Sequence, residues 1–115
     1  MGNEIMWGRK RAGKYNAKRS VYKGHLYASN KEAAYARDLD VRIKAGELVG
    51  YRRQQTVRLA IGQQLICRYI VDFVEEYPDG SETWVEVKGY ETPEWRLKWK
   101  LFEALHPEKR KQVIR

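Results

Sequence analysis

Four residues in this chain combine types and spacing that could hold a hard divalent cation: Glu32, Asp72, Glu86 and Lys88. Asp72 and Glu86 lie in two strand-like runs separated by Tyr77-Pro78-Asp79-Gly80, a turn signal. A hairpin centred on Asp79 sets Asp72 opposite Glu86, with Cβ atoms about 5 Å apart. A register slip of two leaves them diagonal neighbours on one face. Lys88 is two residues past Glu86, so it shares that face about 7 Å along the strand. Facing carboxylates repel unless a cation lies between them. Oxygen-only ligands at this spacing suit Mg²⁺ or Mn²⁺. A solvent-facing strand with alternating charges would account for the same two acids. Glu32 weighs against that: it shares a helical face with Ala36, Leu39 and Ile43, so an acid opens the stripe that must pack on the sheet. Its plainer use is a capping box with Ser29.

The elements that must position these residues are legible. Ser29 caps a helix that runs to about Ala45 and closes at Gly46. Residues 51–61 alternate, with Val57, Leu59 and Ile61 on one side, and read as a strand. Gly62-Gln63-Gln64 is a turn. Leu65 to Glu75, rich in Ile, Val, Tyr and Phe, is the strongest strand, and Thr83 to Lys88 the third. Thr92 caps a second helix with Pro93 at its first position, ending near Leu105 before His106-Pro107. Val21 to Ala28 reads as a small hairpin or an irregular lead-in, and Gln112 to Arg115 as a short edge strand. The expected fold is α/β: a small mixed sheet with an antiparallel three-stranded core flanked by helices. Residues 1–20 form a basic arm, and residues 21–115 a single domain.

Composition narrows the chemistry. The chain has 115 residues, 43% hydrophobic and 12% aromatic, enough for one globular core. Its net charge of +8 calls for a polyanionic partner. No apolar run approaches the ~20 residues of a spanning helix, which argues against a membrane. Two distant histidines, His25 and His106, and the single Cys67 exclude a structural zinc site. No phosphate-binding loop or dinucleotide turn is present, so no organic cofactor is expected. One cysteine and no apolar leader point to the cytoplasm.

Read together, Ser29-Asn30-Lys31-Glu32-Ala33, Tyr69-Ile70-Val71-Asp72-Phe73 and Val85-Glu86-Val87-Lys88-Gly89 resemble the PD-(D/E)xK nuclease superfamily. Lys14 to Lys18 and Lys88 to Phe102 also look like small phage proteins of that group, including phage-encoded endonucleases and archaeal-type Holliday-junction resolvases. The resemblance spans roughly residues 14 to 105. Val71 stands where a proline often precedes the aspartate. The resemblance implies a restriction-endonuclease-like fold and metal-dependent hydrolysis of DNA phosphodiesters with little sequence specificity, by a phage-encoded protein in the cytoplasm of a bacterial host cell. It implies that Asp72 and Glu86 bind the metal, with the Val87 carbonyl as a third ligand. Glu32 would complete the site directly or through water, and Lys88 would orient or activate the attacking water.

Candidate DNA contacts are Arg9, Lys10, Arg11, Lys14, Lys18 and Arg19 in the arm, Arg52 and Arg53 at the opening of the first long strand, and Arg96 and Lys100, which share a helical face. Which of Arg52 and Arg53 lines a groove stays open at this level. Trp95, Trp99 and Phe102 form a stripe suited to core packing or a homodimer surface. Two rivals carry different tests: a dimeric junction resolvase needs two sites at fixed spacing, and a non-catalytic DNA-binding module explains the charge but not the converging acids.

Overall fold

The computed structural model describes residues 19–115. Arg9, Lys10, Arg11, Lys14 and Lys18, and with them nearly all of the basic arm, lie outside the described residues. The first strands, β1 (Ser20–Tyr22) and β2 (His25–Tyr27), form a hairpin. Its two turn residues, Lys23 and Gly24, both have positive φ (51° and 79°). That is the two-residue turn whose twist matches the flanking strands.

Helix α1 (Asn30–Lys44) follows, capped by Ser29. Then come β3 (Gly50–Ile61), β4 (Gln64–Glu76) and β5 (Glu82–Val87). Helix α2 (Pro93–Leu105), capped by Thr92, leads to β6 (Arg110–Ile114). The main sheet has the order β3-β4-β5-β6. Its first three strands are antiparallel and β6 lies parallel to β5, so the sheet is mixed around an antiparallel three-stranded core.

The helices cover opposite faces. Ala33, Ala36 and Leu39 of α1 pack with Phe73, Val85 and Val87. Trp95 and Phe102 of α2 pack with Val57, Leu59, Tyr69, Val71, Val74 and Trp84. The tryptophan stripe is therefore core: Phe102 is fully buried and meets the rings of Tyr69, Trp84 and Trp99 at 5.5–6.0 Å between centroids. Each such side chain contributes roughly 1.5–3 kcal/mol through burial. Among the described residues, no helix is long and apolar enough to cross a membrane.

Two departures from simple strand alternation matter. Ile61 is 58% exposed rather than packed beside Leu59. The ladder slips by one residue between Leu59 and Ala60, leaving Ile66 of β4 as the extra residue of a bulge beside it at the end of the pair. The second departure lies at the middle of the β3–β4 pair. Tyr69 and Val71 face α2, yet Phe73 faces α1; Val57 and Leu59 face α2, yet Tyr51 faces α1. Alternate residues of a regular strand share a face. Both strands therefore invert between these positions. Register places Gln54 opposite Asp72 at the inversion, between the pairs Arg53↔Phe73 and Gln55↔Val71, and the ladder skips both. Gln54 carries it in its backbone, at φ 53°, which is unusual for a residue other than glycine.

Candidate active site

Asp72 thus stands where β4 changes face and where its pairing with β5 ends at Phe73↔Val85. Continuing that register sets Asp72 opposite Glu86, as the hairpin turn led one to expect. In place of a backbone pair, the Val87 amide donates to Asp72 Oδ2 at 2.9 Å. The sequence reading assigned a role to the Val87 carbonyl; the contact made with Asp72 comes from its amide.

Glu86 is buried and held on two sides. The Tyr69 hydroxyl donates to Glu86 Oε1 at 2.7 Å and itself accepts from Trp95 Nε1 at 2.9 Å. Lys88 Nζ lies 3.3 Å from Glu86 Oε2 and 5.0 Å from the centre of the Trp95 ring. The ammonium is thus drawn to a carboxylate on one side and to the negative face of an indole on the other.

Glu32 enters from α1. Its amide donates to Ser29 Oγ at 3.1 Å, and its Oε1 accepts from the Ala28 amide at 3.2 Å. This is a capping box whose return bond reaches one residue further back than the cap itself. Glu32 Oε2 accepts from Gln54 Nε2 at 3.3 Å. The same carboxylate therefore caps the helix and touches the inverted segment of the sheet.

The electrostatics follow from crowding acids in a desolvated corner. Burial, then the charges of Glu86 and Glu32, push the Asp72 carboxyl well above the usual carboxylate range, against the Val87 hydrogen bond. Burial also raises Glu86, while Lys88 and the Tyr69 hydroxyl pull it back. Tyr69 is pushed up by burial and by the neighbouring Glu86 charge, so its hydroxyl stays protonated and a donor. Ionising both Asp72 and Glu86 calls for added positive charge.

Among the described residues, no three Asp, Glu, His or Cys side chains are grouped as a ready ligand set for a metal ion. The donors nonetheless fit a hard divalent cation in kind: Asp72, Glu86 and Glu32 offer oxygen only, and their mutual repulsion is what such an ion relieves.

The remaining candidates separate. Arg52 is held by Glu76 at 2.6 Å and Glu82 at 2.9 Å, toward the β4–β5 turn. Arg53, on the face shared with Tyr51, stacks over the Tyr27 ring at 4.2 Å. Arg96 and Lys100 are exposed on α2, and Arg96 pairs with Glu91 at 3.6 Å. Arg19 is exposed beside β1. Sequence reasoning missed Gln54, Tyr69 and the polar edge of Trp95. An aromatic with a polar handle inside an aliphatic run was the available sign for Tyr69.

Fold and site together define a small α/β domain with a carboxylate–lysine cluster at a break in its sheet. Residues 12–115 match a family described as a protein of unknown function, DUF1064, and the chain belongs to that family. No curated protein matches the chain.

Proposed function

We propose that this chain is a divalent-metal-dependent nuclease that hydrolyses phosphodiester bonds in DNA, in the manner of the PD-(D/E)xK superfamily its motifs resemble. The observation that carries this reading is the meeting of Asp72, Glu86 and Lys88 where β4 and β5 part, with Asp72 destabilised as an anion by burial and then by the charges of Glu86 and Glu32. In this reading Asp72 and Glu86 hold Mg²⁺ or Mn²⁺, with Glu32 and the Val87 carbonyl completing the set. A bound ion of this kind lowers the pKa of water and neutralises phosphate oxygens. Lys88 places a compact positive charge beside the reacting phosphate and orients the attacking water. Tyr69 and Trp95 keep Glu86 in one orientation. Gln54 steadies Glu32. Action on DNA with little sequence specificity fits a basic protein of the bacterial cytoplasm, encoded by a phage.

The test is cleavage of supercoiled plasmid and of a four-way junction, in Mg²⁺, in Mn²⁺ and in EDTA. Metal-dependent cleavage is expected, falling by roughly 10²–10³-fold in Lys88→Ala, the scale of losing one transition-state charge contact. Preference for the junction, together with a dimer by light scattering, would make the protein a resolvase. DNA binding without cleavage under any metal, unchanged in Asp72→Ala, would make it a binding module instead.

A further inference from the structure

Beyond the inversion at Gln54 and Asp72, β3 and β4 run on without β5, whose pairing stops at Phe73. Helix α2 covers one face of this two-stranded extension through Val57, Leu59, Tyr69 and Val71. Among the described residues, no element packs on the other face, where Thr56, Arg58, Arg68 and Ile70 are exposed, with Ile66 further out; the two isoleucines are 43% and 48% exposed. Arg53, stacked on Tyr27, stands at its inner end beside Gln54. Its Nε is buried without a hydrogen-bond partner among the described residues.

The charges on this face are one-signed. Arg58 pairs directly with Arg68 across the ladder. Like charges in that position destabilise a sheet. Among the described residues, no acidic side chain is within ion-pair distance of Arg53, Arg58 or Arg68. Arg53 to Arg58 covers roughly 16 Å of strand, about five base-pair rises.

We propose that this open face of the β3–β4 extension is the surface on which duplex DNA lies, with Arg53, Arg58 and Arg68 on phosphates and the isoleucines against deoxyribose. It rests on the nuclease reading only for the direction in which the duplex leads, toward Asp72. Charge complementarity selects a polyanion. The interleaved isoleucines select DNA over RNA, because they leave a 2′-hydroxyl without a polar partner. A second copy of the chain would bring the same arginines against themselves.

The experiment is fluorescence anisotropy of the full chain with a labelled DNA duplex in EDTA, across salt concentrations. Arg58→Ala/Arg68→Ala is expected to bind roughly 50-fold more weakly at ~0.1 M salt, with the slope of log K against log salt reduced by about 2. Arg37→Ala/Lys44→Ala, the same charge change on the outside of α1, is expected to bind within about threefold of wild type. Arg58→Lys/Arg68→Lys, which keeps the charge, is expected to restore most of the affinity and guards against misfolding as the cause. Equal affinity in the ribbon and α1 variants overturns the proposal, as does an RNA duplex binding as tightly as DNA, or a change in oligomeric state with DNA affinity unaltered. Cleavage by wild type with unchanged binding in the ribbon variant removes the ribbon and keeps the nuclease. Weakened binding in that variant without cleavage by wild type does the reverse.

Discussion

Asp72 concentrates the chemistry of this protein in a single side chain. It is desolvated, faces two other acids, and is held by one backbone amide. An acid whose carboxyl is raised on folding binds more protons folded than unfolded. Its contribution to stability is therefore fully present below the ordinary carboxylate range and is lost as pH rises through the raised value. In metal-free protein, Asp72→Asn is expected to be more stable than wild type at pH 8, with the difference shrinking toward pH 4. Denaturant unfolding at a series of pH values checks this; parallel pH profiles for the two proteins would contradict it. Groups such as Asp40 and Glu82, whose carboxyls are lowered by their partners, act in the opposite sense but equally in both proteins. Mn²⁺ should raise the melting temperature of wild type at neutral pH and leave Asp72→Asn unmoved.

The elements explain why Asp72 can occupy such a place. An unbroken β3–β4–β5 sheet would continue the ladder past Asp72 and leave no room for an acidic corner. The inversion removes Gln54 and Asp72 from the ladder together, and the backbone of Gln54 absorbs the change in a left-handed conformation. That conformation costs an ordinary residue about 1–2 kcal/mol and glycine little. Gln54→Gly relieves that cost but loses the bond to Glu32, so it should stay within about 1 kcal/mol of wild type, whereas Gln54→Val, β-branched at a positive φ and lacking the same bond, should lose about 1–3 kcal/mol relative to Gln54→Gly. Thermal and denaturant melts of both variants measure it. Equal stability of the two would mean that the backbone at residue 54 is not constrained by its neighbours. The capping of α1 belongs to this scale too, because Ser29 and Ala28 fix the helix start that brings Glu32 to Gln54.

For the whole molecule, the decisive property is the separation of its charges. The net charge is +8. The buried acids of the sheet are enclosed: Glu75 is met by Arg42 at 3.2 Å and by the Tyr35 and Tyr77 hydroxyls, Glu86 by Tyr69 and Lys88. Among the described residues, Arg58, Arg68, Arg96 and Lys100 are left exposed on the surface. Wild-type affinity for duplex DNA should then fall steeply and log-linearly with salt, by at least tenfold between 50 and 200 mM if several phosphates are neutralised. Anisotropy titrations at four salt concentrations measure the slope, and a flat dependence would discount phosphate contact as the basis of binding.

Much of this protein was written in short stretches of sequence. The Ser29 and Thr92 caps, the Tyr77–Gly80 turn, the strands and the mixed α/β arrangement follow from steric and hydrogen-bond rules that act within a few residues. Because a tight turn sets the register of its own hairpin, the meeting of Asp72 with Glu86 was legible as well. The face inversion was not, since it depends on two strands distorting at the same level and on helices packing from opposite sides. Nor was the choice between Arg52 and Arg53, which adjacent residues cannot make until the sheet has faces. The Trp95–Tyr69–Glu86 chain joins three elements through groups 26 and 17 residues apart. Such partners are selected by tertiary packing alone, because a buried polar atom bonds to whatever donor or acceptor the fold brings within reach.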